Sequence, residues 1–219
     1  MLEKNLKDIL NFIESGNNLN EKITLVGATK TQSIETIQKA IDLGLKVVAE
    51  NRVQEFREKT EYLKNCEQQF IGHLQTNKVK YIVGLVSLIQ SVDSTHLAKA
   101  ISEQAVKKNI IQDILIEVNI GGELSKSGIN PENAIETVKE ISKLQNIKVK
   151  GLMAMLPKSE DEALLKNLCL NMREIYDTLL KEGFDFKYLS VGMSHDYKIA
   201  IKHGSNMIRL GSSIFGQRV

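Results

Sequence analysis

Two short stretches near the C-terminus pair glycine with hydroxyls: Val191-Gly192-Met193-Ser194 and Arg209-Leu210-Gly211-Ser212-Ser213. Glycine lets backbone amides come close to an anion, and a serine hydroxyl can donate to its oxygens, so the two stretches together describe the walls of a phosphate site. Either stretch alone is better explained as a turn glycine followed by a helix-capping serine. A third group, Lys30, follows the apolar run Ile23 to Thr29. A lysine held in a pocket and stripped of water becomes a nucleophile toward a carbonyl, whereas most lysines stand in solvent and do no chemistry. Position alone leaves both readings of Lys30 open.

Other polar side chains recur where apolar runs end: Glu50 and Asn51, then His73, Gln75 and Asn77, then Asn119. Ligand-binding side chains are displayed at such ends, although Asn and Gln also serve there as turn formers and caps, and His73 reads equally as a structural histidine. His96, His195 and His203 have no ligand spacing, and Cys66 and Cys169 form no CxxC pair, so no metal site is expected.

These residues need a scaffold that brings strand ends together. Leu2, Leu6, Ile9, Leu10 and Ile13 fall at helical spacing before Gly16 and Asn17, which predicts an N-terminal helix. Eight strand-like runs follow, ITLVGAT, VVAEN, QQFIGH, LIQSVD, DILIEVNI, IKVKGLMAM, YLSVGM and MIRLGS, each trailed by an amphipathic segment. Helix starts are visible at Ser94 before Leu97, Ala98 and Ile101, at Asn130-Pro131 before Ala134, Ile135, Val138 and Ile141, and at a capping box of Ser159 with Glu162. A long helix carrying Leu164, Leu168, Met172, Ile175 and Leu179 should end at Gly183. Alternating strands and helices imply parallel pairing through right-handed crossovers. A doubly wound open sheet would need a glycine-rich turn after its first strand, and GATKTQS lacks it. The expected fold is therefore a single (β/α)8 TIM barrel with an extra N-terminal helix, one domain over residues 1–219. In that fold chemistry collects at the strand C-termini and phosphate sits after strands 7 and 8, where the two glycine-serine stretches fall.

Composition narrows the partners. Lys and Arg number 29 against 27 Asp and Glu, scattered through 219 residues, so neither nucleic acid nor a membrane surface is expected as a partner. Two distant cysteines, no basic-then-apolar leader and no membrane-length apolar run predict a reduced, cytoplasmic setting.

Seven motifs in order resemble the pyridoxal phosphate homeostasis proteins, which share the barrel of the alanine racemase N-terminal domain. They are Lys30 after the first strand, AEN with RVQE at 49–55, IGHLQTNK at 71–78, SKSG at 125–128, GLMAM at 151–155, SVGMS at 190–194 and RLGSSIFG at 209–216. The resemblance implies a fold-type III-like barrel binding pyridoxal 5′-phosphate (PLP), with Lys30 forming the internal aldimine, a Schiff base. It implies further that Met193, Ser194, Gly211 and Ser212 bind the cofactor at its phosphate, that Arg209 faces the pyridine nitrogen and that Asn51 lines the ring or its O3′ side. The chain departs mildly in reading Gly27-Ala28-Thr29 where the family more often has a valine-serine pair.

An arginine offers only donors, so a ring nitrogen facing Arg209 stays unprotonated and the ring is a poorer electron sink. Alanine racemases share that arrangement. They also take a tyrosine from a C-terminal β-domain of the partner subunit, for which a chain ending at Val219 is expected to have no room. The expectation is thus a PLP-binding homeostasis or carrier protein with no catalytic residues of its own, monomeric or weakly dimeric, serving apo PLP-dependent enzymes. The competing reading is a small PLP-dependent amino-acid racemase, for which His73 and Tyr197 are the candidate second acid/base groups.

Overall fold

The computed structural model describes residues 1–123 and 126–216. Eight strands, β1 (Thr24–Ala28), β2 (Val47–Glu50), β3 (Glu67–Phe70), β4 (Leu88–Val92), β5 (Gln112–Val118), β6 (Ile147–Ala154), β7 (Tyr188–Val191) and β8 (Met207–Leu210), lie in chain order in a closed barrel. All pairs are parallel, and β8 returns to β1 with Val26 opposite Arg209 and Gly27 opposite Leu210. The helices are α1 (Leu2–Ile13), α2 (Ile34–Asp42), α3 (Val53–Lys59), α4 (Thr95–Lys107), α5 (Ala134–Ile141), α6 (Glu162–Lys181), α7 (Tyr197–Lys202) and α8 (Ser212–Phe215), with 3-10 turns at Thr76–Tyr81 and Pro131–Asn133. Each of the eight runs read as strands is one, and the architecture is the expected (β/α)8 barrel.

Strand alternation sorts the side chains between two apolar layers. Val26, Val47, Ala49, Leu88, Leu115, Met153 and Met207 fill the barrel interior. Their neighbours point outward against the helices, as Leu25, Val48, Ile208 and Leu210 do beside Ile37, Ile41 and Leu45. With only four residues, α8 cannot cover the β8–β1 seam. The extra helix α1 does so, burying Leu6, Ile9 and Ile13 in the same cluster as Ile214 and Leu210.

Two details of the long helix differ from expectation. The cap of α6 is Asp161, whose Oδ1 accepts from the amides of Ala163 (2.9 Å) and Leu164 (3.0 Å); Ser159 instead accepts from the Asp161 amide, so the Ser159–Glu162 capping box does not form. The buried face is Leu165, Cys169, Met172, Tyr176 and Leu179, and Leu164 is exposed. A helix seated one residue further round presents the i, i+4 series from 165 to the sheet. Ser94 caps α4 through the Leu97 amide as expected, while Asn130-Pro131 opens the 3-10 turn that leads into α5. Among the described residues no helix is long and apolar enough to cross a membrane.

Candidate functional site

The loops after β7 and β8 meet through Ser194. Its Oγ accepts from the amides of Gly211 (3.3 Å) and Ser213 (3.2 Å), and the Ser213 hydroxyl donates to the Ser194 carbonyl (3.3 Å). Two amides converging on one oxygen are the arrangement that receives an oxyanion. The two glycines differ in why they are glycine. Gly192 has φ +109°, and a Cβ there would lie 2.9 Å from Ala200 Cβ and 3.0 Å from Tyr197 Cα, so packing against α7 demands it. Gly211 has φ −114°, and a Cβ would make only an ordinary 3.4 Å contact with Ala28 O. The fold therefore tolerates a side chain at 211. Met193 belongs to the same loop through its backbone, its amide donating to Asp196 Oδ1 (2.6 Å) and its carbonyl accepting from Tyr197. Ser212 is exposed as the first residue of α8.

Beneath this cradle Arg209 is buried on β8. Its guanidinium donates to Ser190 O (2.8 Å), Ser190 Oγ (2.6 Å) and Ala154 O (2.8 Å). Since arginine only donates, Ser190 must pass its own proton onward, to Gln90 Oε1 (2.7 Å); the Gln90 amide then donates to Gln69 Oε1 (2.6 Å), and Gln69 to Glu67 (2.8 Å). The chain of bonds runs one way through the barrel, from a cation to a carboxylate, and fixes the guanidinium at its upper end. Burial pushes Arg209 down to about 10, opposed by Glu117 and Asp196, so it remains protonated at neutral pH. Glu117, buried on β5 two residues beyond interior-facing Leu115, is pushed up to about 7 by burial, with Asp93 adding to the rise and Arg209 and His73 opposing it.

On the other flank, β1 lies between β8 and β2, which puts Lys30 and Asn51 on the same C-terminal rim as Arg209 and Gly211. Lys30 sits in the turn just past β1 and is exposed. Asn51 follows β2, and its Oδ1 is buried without a partner among the described residues. Glu50 is buried in a cluster with Lys59 and Glu55 of α3.

Several expected residues are explained by local structure. Asn119 ties down its own loop through Glu123 O and Lys126 O, and Gln75 precedes a 3-10 turn. His73 pairs with Asp93 (3.1 Å) at the rim. Tyr197 packs edge-on against Phe12 of α1, in the helix layer. Cys169 is buried and its thiol is pushed up to about 12. Of the SKSG motif, Ser125 lies outside the described residues. Ser190 and Ser213 fall within SVGMS and the Gly-Ser-Ser run of the sequence. Glu117 and Lys59 carry no such signal, since they sit inside apolar or amphipathic segments that read as ordinary strand and helix.

Of these rim groups, Asn51 Oδ1 is buried without a partner among the described residues, whereas the Gly211 and Ser213 amides are paired with Ser194 Oγ and the guanidinium with Ser190 and Ala154. Comparisons with known proteins identify the chain's relatives. The family described as "Alanine racemase, N-terminal domain" matches residues 2–219. A pyridoxal phosphate homeostasis protein of Aquifex aeolicus is 47% identical over 89% of this chain and 86% of its own. One of Haemophilus influenzae is 34% identical over 99% and 96%. The structure of PipY from Synechococcus elongatus with PLP bound superposes with a TM-score of 0.87 at 26% identity, covering 99% of this chain and 100% of that one. An alanine racemase of Clostridium difficile shares the fold, with a TM-score of 0.81 at 19% identity, and this chain spans 59% of it.

Proposed function

This chain belongs to the pyridoxal phosphate homeostasis protein family, and from that premise we propose that it binds PLP at the C-terminal mouth of the barrel as a Schiff base on Lys30. We propose that it serves intracellular PLP homeostasis, by storage, sequestration or delivery, without robust catalysis of its own. The observation that carries this reading is the convergence of the Gly211 and Ser213 amides on Ser194 Oγ beside the buried Arg209. Met193, Ser194, Gly211 and Ser212 would bind the phosphate end, joined by Ser213. Asn51 would bring its unpartnered Oδ1 to the ring or its O3′ side. Arg209, held from below by Ser190 and Ala154, would donate to the ring nitrogen and keep it unprotonated. When bound, PLP supplies an aldehyde that captures amines reversibly. The residues of the mouth hold that group in place and away from stray amines.

The proposal takes residues 1–219 as one domain, cytoplasmic, monomeric or weakly dimeric, with apo PLP-dependent enzymes as recipients. Tyr197 faces the helix layer, so of the two candidate acids it is removed from the mouth. A second reading, a weak PLP-dependent amino-acid racemase, is favoured by one observation, the Glu117 carboxyl pushed up to about 7 inside the mouth, where it could exchange a proton near neutral pH. Titration with PLP should give an absorption band near the visible edge that borohydride abolishes, with amino-acid racemisation far slower than about 1 s⁻¹, the lower end of ordinary turnover. Absence of the band would remove the binding reading, and rapid racemisation lost in Glu117→Gln would establish the second.

A further inference from the structure

Lys59 is a buried lysine, 8% exposed, near the end of α3. Burying an ammonium is costly unless charge and hydrogen bonds compensate it. Here all three of its N–H donors are engaged, by Glu50 Oε1 (2.7 Å), Glu55 Oε2 (2.9 Å) and the Thr29 carbonyl (3.1 Å). The carboxylates reach on to the same loop. Glu50 Oε1 accepts from the Thr29 hydroxyl (2.7 Å), and Glu55 Oε2 accepts from the Thr31 amide (2.8 Å). Burial pushes the Glu55 carboxyl up, but the Thr31 amide, Lys59 and Arg52 outweigh it and hold the group below its ordinary value.

The cluster therefore grips the backbone on both sides of Lys30, the carbonyl of residue 29 and the amide of residue 31. Thr31 has φ +64°, a left-handed conformation that a β-branched residue adopts only when its surroundings impose it. Such strain is held by a buried ion cluster in which every Lys59 donor is paired and Glu50 Oε2 alone is buried without a partner among the described residues, an arrangement that aims a side chain. It also gives Thr29 a reason to carry a hydroxyl in the Gly27-Ala28-Thr29 segment. We propose that Lys59, Glu50 and Glu55 are positioning residues that fix the Lys30 turn so that its amine is aimed into the barrel mouth. This rests on the assignment of PLP to Lys30.

The test uses the full chain and PLP itself. Glu55→Ala frees the Thr31 amide, Glu55→Gln restores an acceptor without charge, and Thr31→Gly removes the constraint on φ without touching the ion cluster. Affinity is read by absorbance titration, ring orientation by the visible circular dichroism of the bound chromophore, and folding by far-ultraviolet circular dichroism. Glu55→Ala should bind PLP roughly tenfold or more weakly, as expected when a preorganised group must be reordered on binding, and with altered visible dichroism. Glu55→Gln should recover most of both. Thr31→Gly should lose affinity, since glycine widens the φ range open to the turn, while its thermal midpoint changes little because the left-handed strain is relieved. If Glu55→Ala or Thr31→Gly stays folded and binds PLP with unchanged affinity and dichroism, the positioning role is wrong while the Lys30 assignment survives. If Glu55→Ala fails to fold, Thr31→Gly decides alone. If the wild type forms no borohydride-reducible band, the assignment of PLP to Lys30 fails and this proposal with it.

Discussion

Two buried cations among the described residues, one on each flank of the barrel, are compensated in opposite ways. Lys59, under the β1–β2 flank, is neutralised by two carboxylates, and its remaining donor goes to backbone. Arg209, under the β7–β8 flank, donates to two carbonyls and a hydroxyl, all neutral, and the nearby Glu117 is itself pushed toward its uncharged form. The charge of Lys59 is cancelled by direct ion pairs, whereas Arg209 is hydrogen-bonded only to neutral groups, with the Glu117 and Asp196 carboxyls acting on it at longer range. The same division holds around them: the β1–β2 flank is organised by ion pairs, the β7–β8 flank by amides and hydroxyls.

The largest effects should come from deleting either cation. Lys59→Met and Arg209→Leu should each destabilise the apo protein by about 3–5 kcal/mol in denaturant unfolding, because each leaves buried partners uncompensated. The comparison sharpens in the rescue. Adding Glu50→Gln and Glu55→Gln to Lys59→Met should recover much of the stability, since the charge there is internal, whereas Arg209→Leu combined with Glu117→Gln should remain unable to bind PLP. Full recovery of PLP binding in the latter pair would erase the distinction.

Glu117 gives the next effect. Its folded value near 7 exceeds its ordinary 4.5, so the native state holds the extra proton between those values and stability should fall as pH rises through that window. The loss should be on the order of 3 kcal/mol, levelling off above pH 7, and Glu117→Gln should flatten it. A thermal midpoint whose pH profile is unchanged in Glu117→Gln would place the carboxyl elsewhere in the balance. Ser194→Ala should then weaken PLP binding by about 1.5–3 kcal/mol, as for a hydrogen bond to a charged group, while leaving the apo fold intact. Smallest of all, Gly211→Ala should change apo stability by less than about 0.5 kcal/mol, since its Cβ meets only an ordinary contact, yet still lower PLP affinity by crowding the cradle. Equal affinity in Gly211→Ala would turn that glycine into a plain turn residue.

The barrel was legible because each strand is a short apolar or β-branched run bounded by polar residues, and the β7 and β8 loops carry their glycines and serines in local sequence. The rest depends on contacts across the chain. Ser159 and Asp161 are both good cap formers two residues apart, and Asp161 prevails because one carboxylate oxygen reaches two amides. Leu164 and Leu165 both begin an i, i+4 series, and which one faces the sheet is decided by docking. Lys59 looks like any polar position near the end of an amphipathic helix, since its partners lie 4, 9 and 30 residues away. Glu117 is one polar residue in an apolar strand, and only the interior direction of Leu115 shows that it enters the barrel. Lys30 could be placed at the rim from its strand, but the ion cluster that holds the Thr29 carbonyl and the Thr31 amide on either side of it is invisible to local pattern.

The most direct test of the covalent assignment is to reduce the PLP complex with borohydride, digest it and locate the modified lysine by mass spectrometry. The account predicts one dominant adduct on the peptide containing Lys30, absent from Lys30→Ala. A dominant adduct on Lys78 or Lys126, persisting undiminished in Lys30→Ala, would contradict it.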